Sequence, residues 1–210
     1  MIPTLYTPRL ALRPFSLADA ARVQELAGDP RVAATTLRVP HPYPDGAAEE
    51  WIAAHAGAAE KGRSFNFAVT LAGTRSPGRE HDMTDTGHII GTVGLVQSGR
   101  PEDARAELGY WIGVAYWNRG FATEAAHAVL AFGFLRRNLH RITAWHLVEN
   151  PASGRVLQKL GMSPEGTLRS QIFKMNRFQD VAIAGILRDE WIARRKIQKL
   201  RPAGRALQTV

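Results

Sequence analysis

The sequence predicts a single α/β (α+β) domain, and three observations carry that prediction. The chain has 210 residues of which 45% are hydrophobic, and a chain of this size buries roughly 70% of the surface its unfolded state exposes. Period-two stretches alternate with stretches bounded by helix-start and helix-stop residues, in the order strand, two helices, several strands, helix, strand, helix, strands. No internal repeat interrupts that order.

The elements follow from local chemistry. Thr7–Pro14 places Leu10 and Leu12 on one face and Arg9, Ala11 and Arg13 on the other, a first strand. Ser16 with Asp19 three residues on has the form of a capping box and opens a helix that stops near Gly28. Asp45 is the expected N-cap of a second, alanine-rich helix that ends at Gly62. Phe65–Leu71 and His88–Val96 read as strands, with Phe65, Phe67 and Val69 at period two. Between them Ala72–Gly87, rich in Gly, Ser, Thr, Asp and Pro, reads as a long mobile loop. Arg105–Val114 is a strand, followed by a helix from about Gly120 to Arg137. Arg141–Val148 is another strand, and Pro151–Leu160 a short helix closed by Gly161. Thr167–Lys174 and Asp180–Leu187 are two last strands before a basic end.

Composition narrows the function classes. With no cysteine, disulfides, iron–sulfur clusters, thiolate zinc sites and a catalytic thiol are all excluded, which fits a reducing compartment. The net charge is +8, but six of the 27 basic residues (Arg194, Arg195, Lys196, Lys199, Arg201 and Arg205) fall in residues 193–210 without any acid. Residues 1–192 therefore carry only +2, and the organisation expected is a domain over 1–192 with a basic tail over 193–210. Such clustered Lys and Arg would supply sequence-independent affinity for nucleic-acid phosphates, although the tail has no aromatic residue to stack on bases. The commoner fate of such a run is a solvated helix end. No basic stretch precedes an apolar one at the start, and apolar runs such as Ala128–Leu135 fall short of the ~20 residues a spanning helix needs. A cytoplasmic protein without membrane contact is the expectation. The seven histidines are scattered without metal-ligand spacing, so no metal is expected. No Gly-x-Ser-x-Gly elbow appears. Gly57–Ser64 only approximates a Walker A loop, and it ends a helix rather than joining strand to helix.

Two segments carry chemistry. Ala106–Val114 runs through Tyr116-Trp117-Asn118-Arg119-Gly120-Phe121-Ala122-Thr123-Glu124-Ala125: a strand, a tight small-residue loop, and a helix start. Unpaired N–H groups and the positive dipole end of that helix favour a phosphate or pyrophosphate; equally, Gly120 and Ala122 fit a crowded turn. The second segment is Asn150-Pro151-Ala152-Ser153, which begins a helix ending Lys159-Leu160-Gly161-Met162.

Together these segments resemble the GNAT acetyltransferases, and within them the RimJ/RimL type. Tyr116–Ala125 is similar to the family's cofactor loop, with Asn118 where that branch usually has glycine, and Met162 stands where a phenylalanine is usual. Thr7–Pro14, Ile90–Leu95 and Asp180–Trp191 extend the resemblance to about residues 7–191. It implies a central, mixed, mostly antiparallel sheet splayed between the fourth and fifth strands and flanked by helices. It also implies an acetyl-CoA-dependent N-acetyltransferase, and it suggests a homodimer. By carry-over, backbone groups of Trp111, Ile112 and Val114 contact the pantetheine arm. Trp117, Asn118, Arg119, Gly120, Phe121, Ala122 and Thr123 wrap the pyrophosphate, and Asn150 and Ser153 lie beside the pantetheine and sulfur.

The chemistry needs an amine stripped of its proton and a leaving thiolate that is stabilised. Glu107 is the candidate base; its alternative is a strand carboxylate paired with a neighbouring arginine. Ser153 is the candidate acid for the sulfur; alternatively it and Asn150 only satisfy the helix start. Tyr110 is a weaker acid candidate; its alternative, the favoured one, is a strand residue packing its ring. Trp51, Trp145 and Trp191 are expected in the core or an interface, His127 on a helix face away from chemistry, and Arg136, Arg137 and Arg141 after a helix C-terminus. The acceptor implied is the N-terminal amine of a ribosomal or other protein. The alternatives are a small-molecule amine, or a non-catalytic acyl-CoA-binding protein associated with ribosomes or RNA.

Overall fold

The computed structural model describes residues 2–72 and 85–200. The loop expected over Ala72–Gly87 and the end of the basic tail fall largely outside the described residues. The chain starts with a hairpin of β1 (Leu5–Tyr6) and β2 (Leu10–Arg13) around Thr7, whose hydroxyl oxygen accepts from the Leu10 amide at 3.0 Å. The Ser16–Asp19 capping box forms: the Ser16 amide donates to the Asp19 carboxylate at 2.7 Å, and Arg13 grips the same carboxylate at 2.7 and 2.9 Å. Burial alone would raise this carboxyl's pKa, but the Arg13 and Ser16 bonds hold it below the usual range. A 3-10 turn then leads into α1 (Ala20–Ala27), which stops at Gly28.

Two helices add to the expected order of elements. Helix α2 (Pro30–Thr35) is capped by Asp29, whose side chain accepts from the Arg31 amide at 2.9 Å, with Pro30 at its first position. Helix α6 (Arg188–Leu200) closes the described chain. Helix α3 (Ala47–Glu60) starts one residue later than expected: its N-cap is Gly46 at φ +79°, and Asp45 instead accepts from Gln24 at 3.4 Å.

Strands β3 (Ser64–Ala72), β4 (Asp85–Ser98) and β5 (Arg105–Ile112) follow, then α4 (Phe121–Arg136), β6 (Arg141–Leu147), α5 (Pro151–Leu160), β7 (Ser163–Lys174) and β8 (Arg177–Leu187). They form one sheet in the order β1-β2-β3-β4-β5-β6-β8-β7. Only β5 with β6 is parallel, and every other pair is antiparallel. The short β1 shifts the count by one, so the family's fourth and fifth strands are β5 and β6 here.

Helices α1 and α3 pack on one face of β3 and β4, and α4 packs on the other. Phe65, Phe67 and Val69 all point into the α4 side, where α4 buries Phe121, Ala125, Val129, Leu130 and Phe134. At about 25 cal/mol per Å² of apolar surface, burying these side chains stabilises the domain. The boundary expected after residue 192 falls inside α6, and the first basic residues beyond it pack on the domain. Arg195 lies over the Trp191 ring at 4.7 Å, Trp191 packs on Phe134 at 5.3 Å, and the Arg194 side chain lies against Gly161 at the end of α5.

His55 is a liability in this arrangement. It is buried between Phe15 and Trp51, ring centroids 5.3 and 4.3 Å away, and neither ring nitrogen has a hydrogen-bond partner among the described residues. Burial lowers its pKa from 6.5 to about 4, so the folded ring stays neutral where the unfolded one takes up a proton. Its share of stability is therefore complete above pH 6.5 and is lost as pH falls from 6.5 towards 4. Relative to His55→Leu, the native chain should lose about 2 kcal/mol on going from pH 7.5 to pH 5. Urea unfolding at the two pH values measures this; parallel losses in both chains would disprove it.

Candidate active site

The site begins where the parallel pair comes apart. Strands β5 and β6 are in register from Arg105–Arg141 to Leu108–Ala144 and no further. Beyond that point β5 stays with β4 as far as Gly91–Ile112, while β6 stays with β8 as far as Leu147–Val181. The gap opens a cavity of about 740 Å³ across the middle of the sheet. The Gly113 amide donates to the Ile90 carbonyl of β4 at 2.8 Å. Alternation along an antiparallel strand then turns the Trp111 amide towards β4 and the Tyr110 and Ile112 amides towards the gap. A Cβ on Gly109 would meet nothing within 4 Å, so the strand leaves room for a ligand beside its backbone.

One end of the cavity is the start of α4. Its N-cap, Gly120, lies at φ +79° and supplies no side-chain cap, and Asn118 is also left-handed at φ +59°. The first amides of α4 therefore have no side-chain cap among the described residues, and Trp117, Asn118, Gly120, Phe121, Ala122 and Thr123 all line the cavity. Arg119 and Val114 do not. Arg119 gives its carbonyl to Arg9 at 2.9 Å, and Val114 starts a 3-10 turn. The Trp117 indole donates to the Ile112 carbonyl at 2.6 Å, fixing the loop to the end of β5.

The loop is braced from the far end of the sequence. Glu124, in the first turn of α4, accepts from the Thr7 hydroxyl at 2.7 Å and from the Arg9 amide at 2.9 Å, and pairs with the Arg9 guanidinium at 2.6 Å. Burial would raise its pKa, but these bonds hold it below the usual range. Arg9 also lies over the Phe121 ring at 4.7 Å. Arg9 belongs to a motif noted in the sequence, but its bond to a residue 115 positions away has no sequence signal.

The middle of the cavity holds Tyr110, Asn150 and Ser153 together. Asn150 caps α5 by accepting from the Ser153 amide at 3.1 Å, and its own amide group donates to the Thr35 carbonyl at 2.9 Å. The Tyr110 and Ser153 hydroxyls are 2.8 Å apart. Burial pushes the Tyr110 phenol up to about 12, against a lowering by Ser153, so it stays protonated.

At the other end Glu107 is three-quarters or more buried and lines the cavity, with both oxygens on Arg38 at 2.8 and 2.9 Å. Both readings of Glu107 are thus present at once: a cavity carboxylate and an arginine-paired one. Arg38 and the segment carrying it were not anticipated, because no periodicity marks them. Trp191 is in the core as expected, and His127 is exposed on α4. Trp51 packs against the core cluster of Ala20, Val23, Ala48 and Ile52 as expected and also lines the cavity, as does Trp145, because α3 and β6 border the gap. Arg137 stacks on Phe65 at 4.4 Å, and Arg141 pairs with Glu165. Among the described residues, no group of three or more His, Asp or Glu side chains could hold a metal ion, and no helix is long and apolar enough to cross a membrane.

Comparison with known proteins agrees with this geometry. Residues 9–163 match the family model of the Acetyltransferase (GNAT) domain. The chain is 32% identical over 189 residues to an N-acetyltransferase called p20 from Bacillus licheniformis, covering 90% of this chain and 98% of that one. It is 26% identical over 107 residues to the [ribosomal protein uS5]-alanine N-acetyltransferase of Escherichia coli, covering 51% and 55%. A GNAT-family acetyltransferase from Bacillus anthracis superposes with a TM-score of 0.73 at 27% identity, covering 90% of this chain and all of that one.

Gly120 offers a clean test of the anion end. At φ +79° both Gly120→Ala and Gly120→Asp should strain the turn by about 1 kcal/mol, but only aspartate brings a charge to the open amides. Coenzyme A affinity by calorimetry should fall a few-fold for alanine and at least about a hundredfold for aspartate. Equal losses would place the phosphates elsewhere.

Proposed function

We infer the acceptor from one premise: the chain belongs to the GNAT acetyltransferase family and is an acetyl-CoA-dependent N-acetyltransferase. The reading is that the acetyl group goes to the N-terminal amine of a protein, a ribosomal protein being the leading class. The observation that carries it is the charge of the cavity wall. Glu107 is the single carboxylate among the described lining residues, against Arg38, Arg155 and Lys159. One carboxylate suits one ammonium, whereas a polyamine would need several. The similarity to an E. coli enzyme named for a ribosomal-protein alanine supports the same reading.

The residues fit acetyl-CoA: an uncapped helix start suits its pyrophosphate, and the parted strands suit its extended arm. Acetyl-CoA supplies an activated thioester carbonyl. The Tyr110 and Ile112 amides, turned into the gap, would donate to that carbonyl oxygen as it gains charge. Glu107 would take the proton of the incoming ammonium, directly or through a water, so that the neutral amine attacks. The Ser153 hydroxyl would donate to the departing sulfur, with Tyr110 behind it. A phenol near 12 is roughly three units less acidic than an ordinary thiol, so Tyr110 supports the departing thiolate by hydrogen bonding through Ser153. The second proton, which the nitrogen loses as the C–N bond forms and the C–S bond breaks, ends on the sulfur. The cleft supplies the remainder by holding both reactants side by side.

The test is thiol release from acetyl-CoA with N-terminal peptides, the same peptides already acetylated, and spermidine, with mass spectrometry locating the acetyl group. Free N-termini should be modified and blocked ones should not; turnover confined to spermidine would overturn the reading. Glu107→Gln should lower kcat/KM on the order of a hundredfold at pH 6.5. The deficit should shrink above pH ~8, where an α-amine is already neutral. A constant ratio at all pH values would remove Glu107 as base.

A further inference from the structure

The segment that carries Arg38 is unusually well fastened for a surface connection. It leaves α2 at Thr35 and crosses the mouth of the cavity, contributing Thr36, Leu37, Arg38, Val39 and Pro40 to the lining. Asn150 holds the Thr35 carbonyl at 2.9 Å. The Lys174 ammonium, at the end of β7, donates to the Thr36 and Val39 carbonyls at 2.7 Å each. These three bonds come from elements beyond the gap, so the backbone on both sides of Arg38 is tied to the far half of the sheet. The Arg38 side chain itself is 68% exposed and reaches back to Glu107, which is 18% exposed on the near half. A positive charge is thus fixed over the mouth and bonded to the one carboxylate in the described lining.

This pair has a consequence for any amine that enters. An ammonium arriving at Glu107 meets a guanidinium already in contact with both carboxylate oxygens. Two cations on one carboxylate repel, so the ammonium either shares the oxygens at a cost or displaces the guanidinium, and a second acid lowers that cost. Because the backbone is pinned, Arg38 can move only by the reach of its side chain. An acceptor with a neutral group next to its amine replaces two charges in contact with one contact and a stranded guanidinium. An acceptor with a carboxylate there exchanges one ion pair for two. A second cation there is repelled.

We propose that Arg38 is a specificity-determining residue, and that the acceptor is an N-terminal segment with an acidic side chain beside its amine, the amine going to Glu107 and the acid to Arg38. The proposal rests on the protein N-terminus reading above and names the class of N-terminus. The carboxylate is needed within one residue of the amine, since Arg38 and Glu107 start in direct contact. Arg155 and Lys159, on α5, also line the cavity, but only Arg38 is bonded to Glu107.

The experiment compares C-terminally amidated hexapeptides that begin Ala-Asp, Ala-Asn or Ala-Lys and are otherwise identical, with kcat/KM read from thiol release. The native enzyme should prefer Ala-Asp over Ala-Lys by at least about tenfold, with Ala-Asn between, and the preference should shrink as salt is raised. Arg38→Gln should bring the three peptides within a few-fold of one another, and Arg38→Glu should reverse the order. Arg38 is exposed, so both variants should keep the native melting temperature, which is checked alongside. Equal use of all three peptides by the native enzyme, or the same order in Arg38→Glu, overturns the proposal while leaving N-terminal acetylation standing. Turnover of spermidine with none of the peptides overturns both.

Discussion

The end of the parallel register at Leu108–Ala144 is the constraint on which the rest of this structure depends. Two strands that part leave backbone donors unpaired inside a protein, a costly condition unless something else engages them. Here β5 keeps one edge satisfied by β4, and β6 keeps one edge satisfied by β8, so the unpaired edges face only each other across the gap. The core permits this because α4, apolar on nearly all sides, holds the near half together from behind, and α5 seals the far half. The cavity is therefore the place where sheet pairing has been given up in a domain otherwise closed.

Residues far apart in sequence keep that opening in shape. Glu124 and Arg9 lock the anion end of α4 to the first hairpin, and the Trp117 indole locks the same loop to β5. Asn150 serves twice, capping α5 and holding the carbonyl of Thr35. Lys174 crosses from β7 to the segment over the mouth, and burial lowers its pKa while two carbonyls receive its protons. Each contact joins the near half to a ligand-facing loop or to the far half. Positioning in this protein is thus distributed among side chains from several distant elements.

Much of this was legible in the sequence because it depends on local chemistry. The capping box at Ser16–Asp19, the Asn-Pro start and glycine stop of α5, and the alternation of Phe65, Phe67 and Val69 appear where expected. Helix α2 was missed although Asp29-Pro30 is a good start signal, since six residues carry too little periodicity to be seen. Helix α6 was hidden by its charge: a run of basic residues reads as a solvated tail unless Trp191, Phe134 and Gly161 are known to receive it. Trp51 and Trp145 read as core aromatics, and only the position of the gap makes them cavity walls.

Residue spacing along the chain was enough for the family, for the loop at Trp117–Thr123 with its open helix start, and for most elements in their order, though not for α2 or α6. Those properties reside in residues close together along the chain, where spacing alone fixes geometry. The tertiary structure decided what the site can discriminate. Arg38 and Glu107 are 69 positions apart, as are many pairs that never touch. Their contact exists because the sheet parts between β5 and β6 and because Asn150 and Lys174 hold a connecting segment across the opening. Long-range pairing of charges follows from how layers pack, and no local pattern encodes it.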